Sequence, residues 1–519
     1  MSSISTASTS ELPARRGRFA INLLANVGQL GLSSAIGLWY VPFLIRHLGP
    51  SIYGLLPLAT TMTSYMAMIT LSFNSAVARS MTIALEQGDD HKANHIFNTS
   101  FWSSAALGVA LLFPAAIGII HLDWLIRVPP GYEVQARWLF TCTVTAFLLN
   151  ELKSPFEIAS LCRNRFDLRN LIAMTEVLTR VGLVVALFYA ISPRIKYVGF
   201  GIVCGTLISG VGAVRVWRLL TPGLRLGWRH FDWGIFKHLA RTGGWVIVNQ
   251  LGAMLYLGID LIVANRLFGA EANGRYAALL QLSMFIRTFG TTISGVFYPT
   301  VLSLYARKEI DSLVSYLNHA IKFVGLALAL PIGLVCGFSQ PLLRVWVGPE
   351  FESLAPLLVL LCVHLCINLA VNPLLGLQLA ANRMKVPGIV TLVMGACNLG
   401  LALFLAGPMH WGLYGIAGAG AIMLTLKHVW FTPFYAARIL GQPSSCFWRG
   451  ILPIVAATLL TIILCRLMAL GMDLSGWLPL GMAAAIVSGI YGAGVFLLLL
   501  TEGERILLRK MIPQKFLSS

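Results

Sequence analysis

Polar and apolar positions along the chain are segregated into helix-length hydrophobic runs separated by short polar connections. The runs begin near Ile21, Ser51, Ile96, Gln135, Asn170, Val198, Trp245, Tyr276, Leu317, Ser353, Val386, Trp411, Ile451 and Gly476. A membrane-crossing helix takes roughly 20 apolar residues, so the pattern predicts about fourteen crossings. The alternating ten-residue rhythm of a membrane β-barrel is absent, which leaves helices to satisfy the backbone inside the bilayer. The first run extends past the length of a signal-peptide core and has no small-residue cleavage site after it, so it is expected to be a retained helix.

The same turn chemistry occurs twice. Arg46-His-Leu-Gly49 followed by Gly54 returns as Arg266-Leu-Phe-Gly269 followed by Gly274, an offset of 220. Pro155 with Asn164-Arg165 returns as Pro373 with Asn382-Arg383, an offset of 218. Two echoes at nearly one offset point to duplication, a mark of transporters that rock one half against the other around a mid-membrane site. The expected organisation is a cytoplasmic tail (1–19), a six-helix lobe (20–220), a basic and aromatic linker (221–240) and a second six-helix lobe (241–440). An additional helix pair with a basic tail (441–519) completes it. Six helices per lobe give both halves one orientation, hence parallel repeats in an all-α polytopic membrane protein.

Composition agrees with that reading. Hydrophobic residues make up 57% and charged residues 11%, and the mean hydropathy is +0.78, more apolar surface than a soluble fold of this length hides. The formal charge of +18 follows from basic residues before the first run (Arg15, Arg16, Arg18), in alternate connections and in the tail (Arg505, Arg509, Lys510). That bias places both termini in the cytoplasm and removes any need for nucleic acid. The linker, with Arg215, Trp217, Arg218, Arg225, Trp228, Arg229, Trp233 and Lys237, suits an in-plane segment on anionic lipid. Nine cysteines are scattered without paired spacing and read as small apolar packers. His364 stands at i+2 from Cys362 and two before Cys366, so it points to a different helix face from either, and no fourth ligand is evident; no metal or cofactor is expected. The Asp89-Asp90 pair beside Gly88 reads as a solvated turn.

No connection is long enough for a separate catalytic domain, so the chemistry is sought within the bundle. An ionisable residue at the centre of a membrane helix costs roughly 2.5–3.5 kcal/mol and asks for a reason. Arg287 has no acid at i±3 or i±4; it is either a cavity-lining cation or one half of an interhelical salt bridge. Glu151, Lys153 and Glu157 surround Pro155, which is expected to break the helix ladder there. Lys153 either joins a cationic cavity or pairs with Glu157. Glu151 and Asp260 are candidates to carry a coupling ion, or structural partners of basic residues. Glu176 and Arg180 stand at i,i+4 and are expected to pair. Arg79 lies about 37 Å along the chain from Gly54 at 1.5 Å per residue, where it either snorkels or meets a phosphate at the entry side. Lys322 carries the same ambiguity, and Arg344 near Trp346 reads as an anchor. Asn22, Asn26 and Gln29 form a polar stripe facing a groove or a partner helix. The unpaired charges lean positive and suit an anionic, phosphate-bearing cargo.

The opening pair Tyr40-Val-Pro42-Phe-Leu-Ile-Arg46-His-Leu-Gly49-Pro-Ser-Ile-Tyr53-Gly54, with Ala76-Val-Ala-Arg79 and Gly88-Asp-Asp followed by Lys92-Ala93, resembles the polysaccharide-biosynthesis flippases. These are the Wzx-type exporters of lipid-linked oligosaccharides, within the superfamily of multidrug extruders and the peptidoglycan lipid flippase. The resemblance implies a V-shaped twelve-helix core with two added helices in the bacterial inner membrane. It also implies a central cavity for an undecaprenyl-diphosphate-linked repeat unit, with a role for Arg79, and alternating access driven by an ion gradient. On the physical grounds given above, Arg287, Lys153 and Lys322 are the further candidates for its cationic wall, and Glu151 or Asp260 for coupling to protons or sodium. Membrane lipids, a polysaccharide polymerase and a chain-length regulator are the implied partners. The first helix lacks the acidic residue that drug/cation exchangers of this fold tend to carry. Multidrug/cation antiport and a membrane glycan polymerase or transferase are the rival readings.

Overall fold

The computed structural model describes residues 11–448 and 450–499, so Arg449 and the basic tail at Arg505, Arg509 and Lys510 lie outside the described residues, as do the side chains of Arg15, Arg16 and Arg18. The described chain is helical throughout its regular structure. Its long elements are α1 (Glu11–Leu48), α2 (Leu55–Glu86), α3 (Asp90–Ile120), α4 (Glu133–Cys162), α5 (Phe166–Ala190), α6 (Ile195–Leu220), α7 (Trp233–Leu257) and α8 (Ile259–Gly295). They continue with α9 (Tyr298–Ala306), α10 (Ile310–Gly337), α11 (Ser339–Trp346), α12 (Ala355–Cys362), α13 (Asn372–Ala380) and α14 (Lys385–Ala406). The last are α15 (Gly412–Thr425), α16 (Thr432–Leu440), α17 (Ile451–Gly471) and α18 (Trp477–Gly494). Ten stretches of the described residues are long and apolar enough to cross a membrane. Charged helices such as α4, with Glu151, Lys153 and Glu157 inside it, fall outside that set.

Two compact units divide the chain. One runs to Met254 and adds Ala264–Gly274; the other takes Leu255–Val263 and continues from Arg275.

In the first unit α4, α5 and α6 pack side by side and α3 lies along α4. Phe97, Phe156 and Trp217 close a triangle between α3, α4 and α6, with ring centroids 5.0–5.5 Å apart, a geometry worth about 0.5–1.5 kcal/mol per pair beyond burial. Asp89 caps α3 by accepting from Lys92 N–H at 2.9 Å, so the acidic pair begins a helix instead of merely rounding a turn. The polar stripe of α1 docks on α5: Asp167 N–H donates to Asn22 Oδ1 (3.2 Å) and Asn170 Nδ2 to Asn26 Oδ1 (2.6 Å). Helix α4 runs unbroken through Pro155. The proline removes one ladder bond, as expected, but the helix continues, because the buried Phe156, Ile158 and Ala159 hold the next turn in the core.

The repeat seen in the sequence is a repeat of backbone conformation. Gly49 and Gly269 share positive φ, 79° and 86°, a region open to glycine at little cost. Asn164 and Asn382 do likewise, at 53° and 52°. Arg165 N–H donates to Ser160 O at 2.8 Å and Arg383 N–H to Gln378 O at 2.9 Å, the six-to-one bond of a Schellman helix stop. Gly54 and Gly274, 220 positions apart, touch each other within the first unit. A Cβ on Gly274 would fall 1.8 Å from Pro50 O, and Asn273 Nδ2 donates to Gly54 O at 3.1 Å.

The linker is bound to protein along its backbone. Arg225 N–H donates to Asn94 Oδ1 (2.8 Å), Asn98 Nδ2 to Arg225 O (2.8 Å), Gly227 N–H to Asn98 Oδ1 (2.8 Å) and Asp232 N–H to Thr99 Oγ1 (3.0 Å). Of the three tryptophans grouped with it, Trp228 (67% exposed) and Trp233 (58%) face outward, while Trp217 is buried on α6 against Phe97 and Phe156 and offers nothing to lipid.

In the second unit α17 seats against α10 on a track of small residues. A Cβ on Gly325, Gly333 or Gly337 would come within 2.5 Å of Ile454, Thr461 or Cys465 respectively, the close helix approach that small residues allow in membranes.

Candidate functional site

Five segments of the second unit surround one small cavity of about 20 Å³, lined among others by Tyr256, Asp260, Ser283, Arg287, His364 and Gly420. About 10–15 Å³ suffices for one water-sized occupant, so the cavity is of ion or water size. Asp260 enters from the start of α8 and is 7% exposed. Its Oδ2 accepts from the Tyr276 hydroxyl at 3.3 Å, while Oδ1 makes no hydrogen bond among the described residues. Asn398 of α14 reaches the same place, its Nδ2 donating to Leu255 O at 3.0 Å and its Oδ1 left without a bond. Gly420 keeps the wall thin: a Cβ there would sit 3.9 Å from both Asp260 Oδ2 and Asn398 Oδ1. Two buried acceptor oxygens beside one cavity carry a cost of about 1–3 kcal/mol each unless something donates to or coordinates them.

Arg287 follows 27 residues later in the chain, beyond the non-helical break at Gly269, and is half-buried. Its Nε donates to Ser283 Oγ at 3.4 Å, and among the described residues it has no ion pair. A planar guanidinium keeps most of its five donors free in that setting. His364 lines the cavity with Nδ1 on Leu360 O (3.1 Å) and Nε2 without a bond among the described residues. Behind it a π-helical turn, Leu426–Phe431, breaks the run between α15 and α16 and carries Lys427 to 5.7 Å from the Tyr256 ring centroid. Such turns commonly mark functional positions.

The structure thus brings together two of the residues expected from the sequence, Asp260 and Arg287, and leaves the others elsewhere. Lys153, expected as a cavity cation, is buried in the first unit, where its ammonium meets Glu176 Oε2 (3.0 Å), Ser209 Oγ (3.0 Å) and Glu157 Oε1 (3.2 Å). Three donors meet three acceptors, and no N–H remains for a ligand. The expected Glu176–Arg180 pair is correspondingly not formed, since Glu176 is taken by Lys153; Arg180 Nε is buried without a hydrogen bond among the described residues. Glu151 is buried on α4, Arg79 is exposed on α2, and Lys322 is half-buried on α10 and already engaged. Arg344, read as an anchor, is tied to Glu352 by a bidentate pair. Tyr256, Tyr276, Asn398 and Lys427 were not expected in the site. Lys427 could have been found by the criterion that found Arg287, a lone charge within an apolar run. Among the described residues no three His, Cys, Asp or Glu side chains gather as a metal site, and all nine cysteines are free.

A helical membrane protein with buried, incompletely satisfied ionisable groups around an ion-sized cavity has the build of a membrane transporter. Comparison with known proteins agrees. The polysaccharide biosynthesis protein family matches residues 21–305, and the chain belongs to it. It is 33% identical over 493 residues to the uncharacterized membrane protein EpsK of Bacillus subtilis (strain 168), covering 95% of this chain and 98% of the relative. It is 22% identical over 410 residues to a putative O-antigen transporter of Shigella flexneri, covering 78% and 94%. Its fold is that of the lipid II flippase MurJ in an inward closed conformation, at a TM-score of 0.65 over 95% of this chain and 100% of that one with 14% identity. An inward-facing multidrug resistance MATE family transporter has a TM-score of 0.62 with 15% identity, covering 85% and 98%. Family and fold together point to a multi-pass membrane transporter rather than a catalyst.

Proposed function

We propose that this protein moves an undecaprenyl-diphosphate-linked oligosaccharide from the cytoplasmic to the outer face of the bacterial cytoplasmic membrane, with both termini cytoplasmic, by alternating access coupled to a proton or sodium gradient. The observation that carries this reading is Arg287, half-buried in an apolar span, without an ion pair among the described residues, on the wall of the same cavity as Asp260. A cation kept there at a cost of a few kcal/mol is suited to an anionic cargo. Family membership and the putative O-antigen transporter among the relatives support a glycan-bearing cargo. In the present conformation the cavity has the volume of an ion; Asp260 lines it with Oδ1 free of hydrogen bonds among the described residues, and Tyr276 holds the carboxylate from behind through Oδ2. The diphosphate meets Arg287 in a conformation in which the cavity has opened.

The test is leaflet exchange of a fluorescent undecaprenyl-diphosphate oligosaccharide in proteoliposomes. Losing a charge-assisted contact of about 1.5–3 kcal/mol slows Arg287→Ala at least tenfold. Asp260→Asn keeps a basal rate and loses its response to proton and sodium gradients. Exchange by the wild type no faster than in empty liposomes, under gradients of either sign, overturns the assignment.

A further inference from the structure

We infer that the first unit holds one anionic phospholipid of the cytoplasmic leaflet in a groove between α4 and α6, its phosphate on Arg215 and Arg218 and an acyl chain along the groove. The leaflet follows from the orientation proposed above; the site itself does not depend on that reading. The groove encloses about 500 Å³. Its walls are apolar and open toward the bilayer, Leu152 being 37%, Leu207 48% and Val211 54% exposed. From Leu207 to Arg218 helix α6 advances about 16 Å at 1.5 Å per residue, close to half of the ~30 Å hydrocarbon thickness. The groove is therefore one leaflet long.

Its two ends differ in charge. Arg215 and Arg218 lie in the last two turns of α6, both exposed and neither with a side-chain hydrogen bond or ion pair among the described residues. They are three positions apart on one helix face, where two guanidinium forks can converge on one phosphate. At the inner end the floor carries Lys153, whose ammonium is consumed by Glu157 and Glu176; two carboxylates to one ammonium repel an anion there. A headgroup thus belongs at the arginine end and a tail at the inner end. Gly210 forms part of the floor between Leu207 and Val211, and a Cβ there would meet nothing within 4 Å. The space beside it is open, and a larger side chain would occupy the groove without displacing a neighbour.

Native mass spectrometry of the full detergent-purified chain, titrated with phosphatidylglycerol and phosphatidylcholine, reads this site without transport or orientation entering. The wild type should retain one phosphatidylglycerol about thirtyfold more tightly than phosphatidylcholine, the effect of two basic side chains near an anionic headgroup. The Arg215→Gln/Arg218→Gln variant should bind both lipids equally, and Gly210→Leu should lose both. The variants act at opposite parts of the groove, so either one alone decides if the other does not fold. Equal retention of both lipids by the wild type overturns the inference, as does a preference that survives either folded variant. Retention of an undecaprenyl-diphosphate lipid with none of phosphatidylglycerol also overturns it, and gives the groove to the cargo.

Discussion

Replacing Lys153 by methionine removes the centre of a buried three-way contact and leaves two carboxylates facing each other. Lys153 is 8% exposed, Glu157 27% and Glu176 26%, so partial solvation of the glutamates eases their repulsion without abolishing it. Breaking a buried pair by deleting one partner costs about 3–5 kcal/mol; that partial exposure puts the expectation at the low end, about 3 kcal/mol. For a compact unit of roughly 250 residues, the size of the one that holds Lys153, each kcal/mol moves a melting temperature by about 2–4 °C, so the melting of that unit in purified Lys153→Met should fall about 6–12 °C below wild type. Adding Glu157→Gln and Glu176→Gln removes the orphaned charges and should restore most of the loss. Melting followed by tryptophan fluorescence in detergent gives both numbers. A Lys153→Met protein that melts within 2 °C of wild type but exchanges lipid-linked glycan tenfold more slowly would refute the structural role and return Lys153 to the cargo site.

Gly274→Ala drives a methyl into Pro50 O at 1.8 Å; the backbone must move, and a loss of about 1–3 kcal/mol, read as a lower melting temperature, is expected. Gly333→Leu collides with Thr461 and should lift α17 from α10, seen as faster labelling of the buried Cys465 by a membrane-permeant maleimide. Asn98→Ala deletes a side chain that bonds the linker at Arg225 O and Gly227 N–H, and limited trypsin digestion should then cut after Arg225 or Arg229 at least several-fold faster than in wild type.

Much of the fold is legible in the sequence because it is written locally. Gly49, Gly269, Asn164 and Asn382 are each the residue type that tolerates the positive φ they adopt. Asp260 and Arg287 stand out for a different reason: a charge in an apolar run is costly wherever its partner lies. What stays hidden is which distant group answers a charge. An i,i+4 pair on one helix is worth about 0.2–0.5 kcal/mol, too little to hold Glu176 on Arg180 when the buried ammonium of Lys153 stands 3.0 Å away on another helix. The tryptophans and arginines of the linker show in its sequence, but its backbone is held by Asn94, Asn98 and Thr99, polar residues of a distant helix that give no local sign of what they bind. The same holds for Asn398, which reaches Asp260 only through the packing of α14.

The matching helix stops at Asn164 and Asn382 make the two corners interchangeable parts. Each closes through its own backbone, with the same bond from the residue after the asparagine to the carbonyl five positions earlier. The instruction to stop is contained in the short segments 159–165 and 377–383, whatever surrounds them. A membrane protein built from such self-contained corners can let the helices between them differ, toward an ion-sized cavity in one unit and a closed salt bridge in the other, without losing the places where the chain turns.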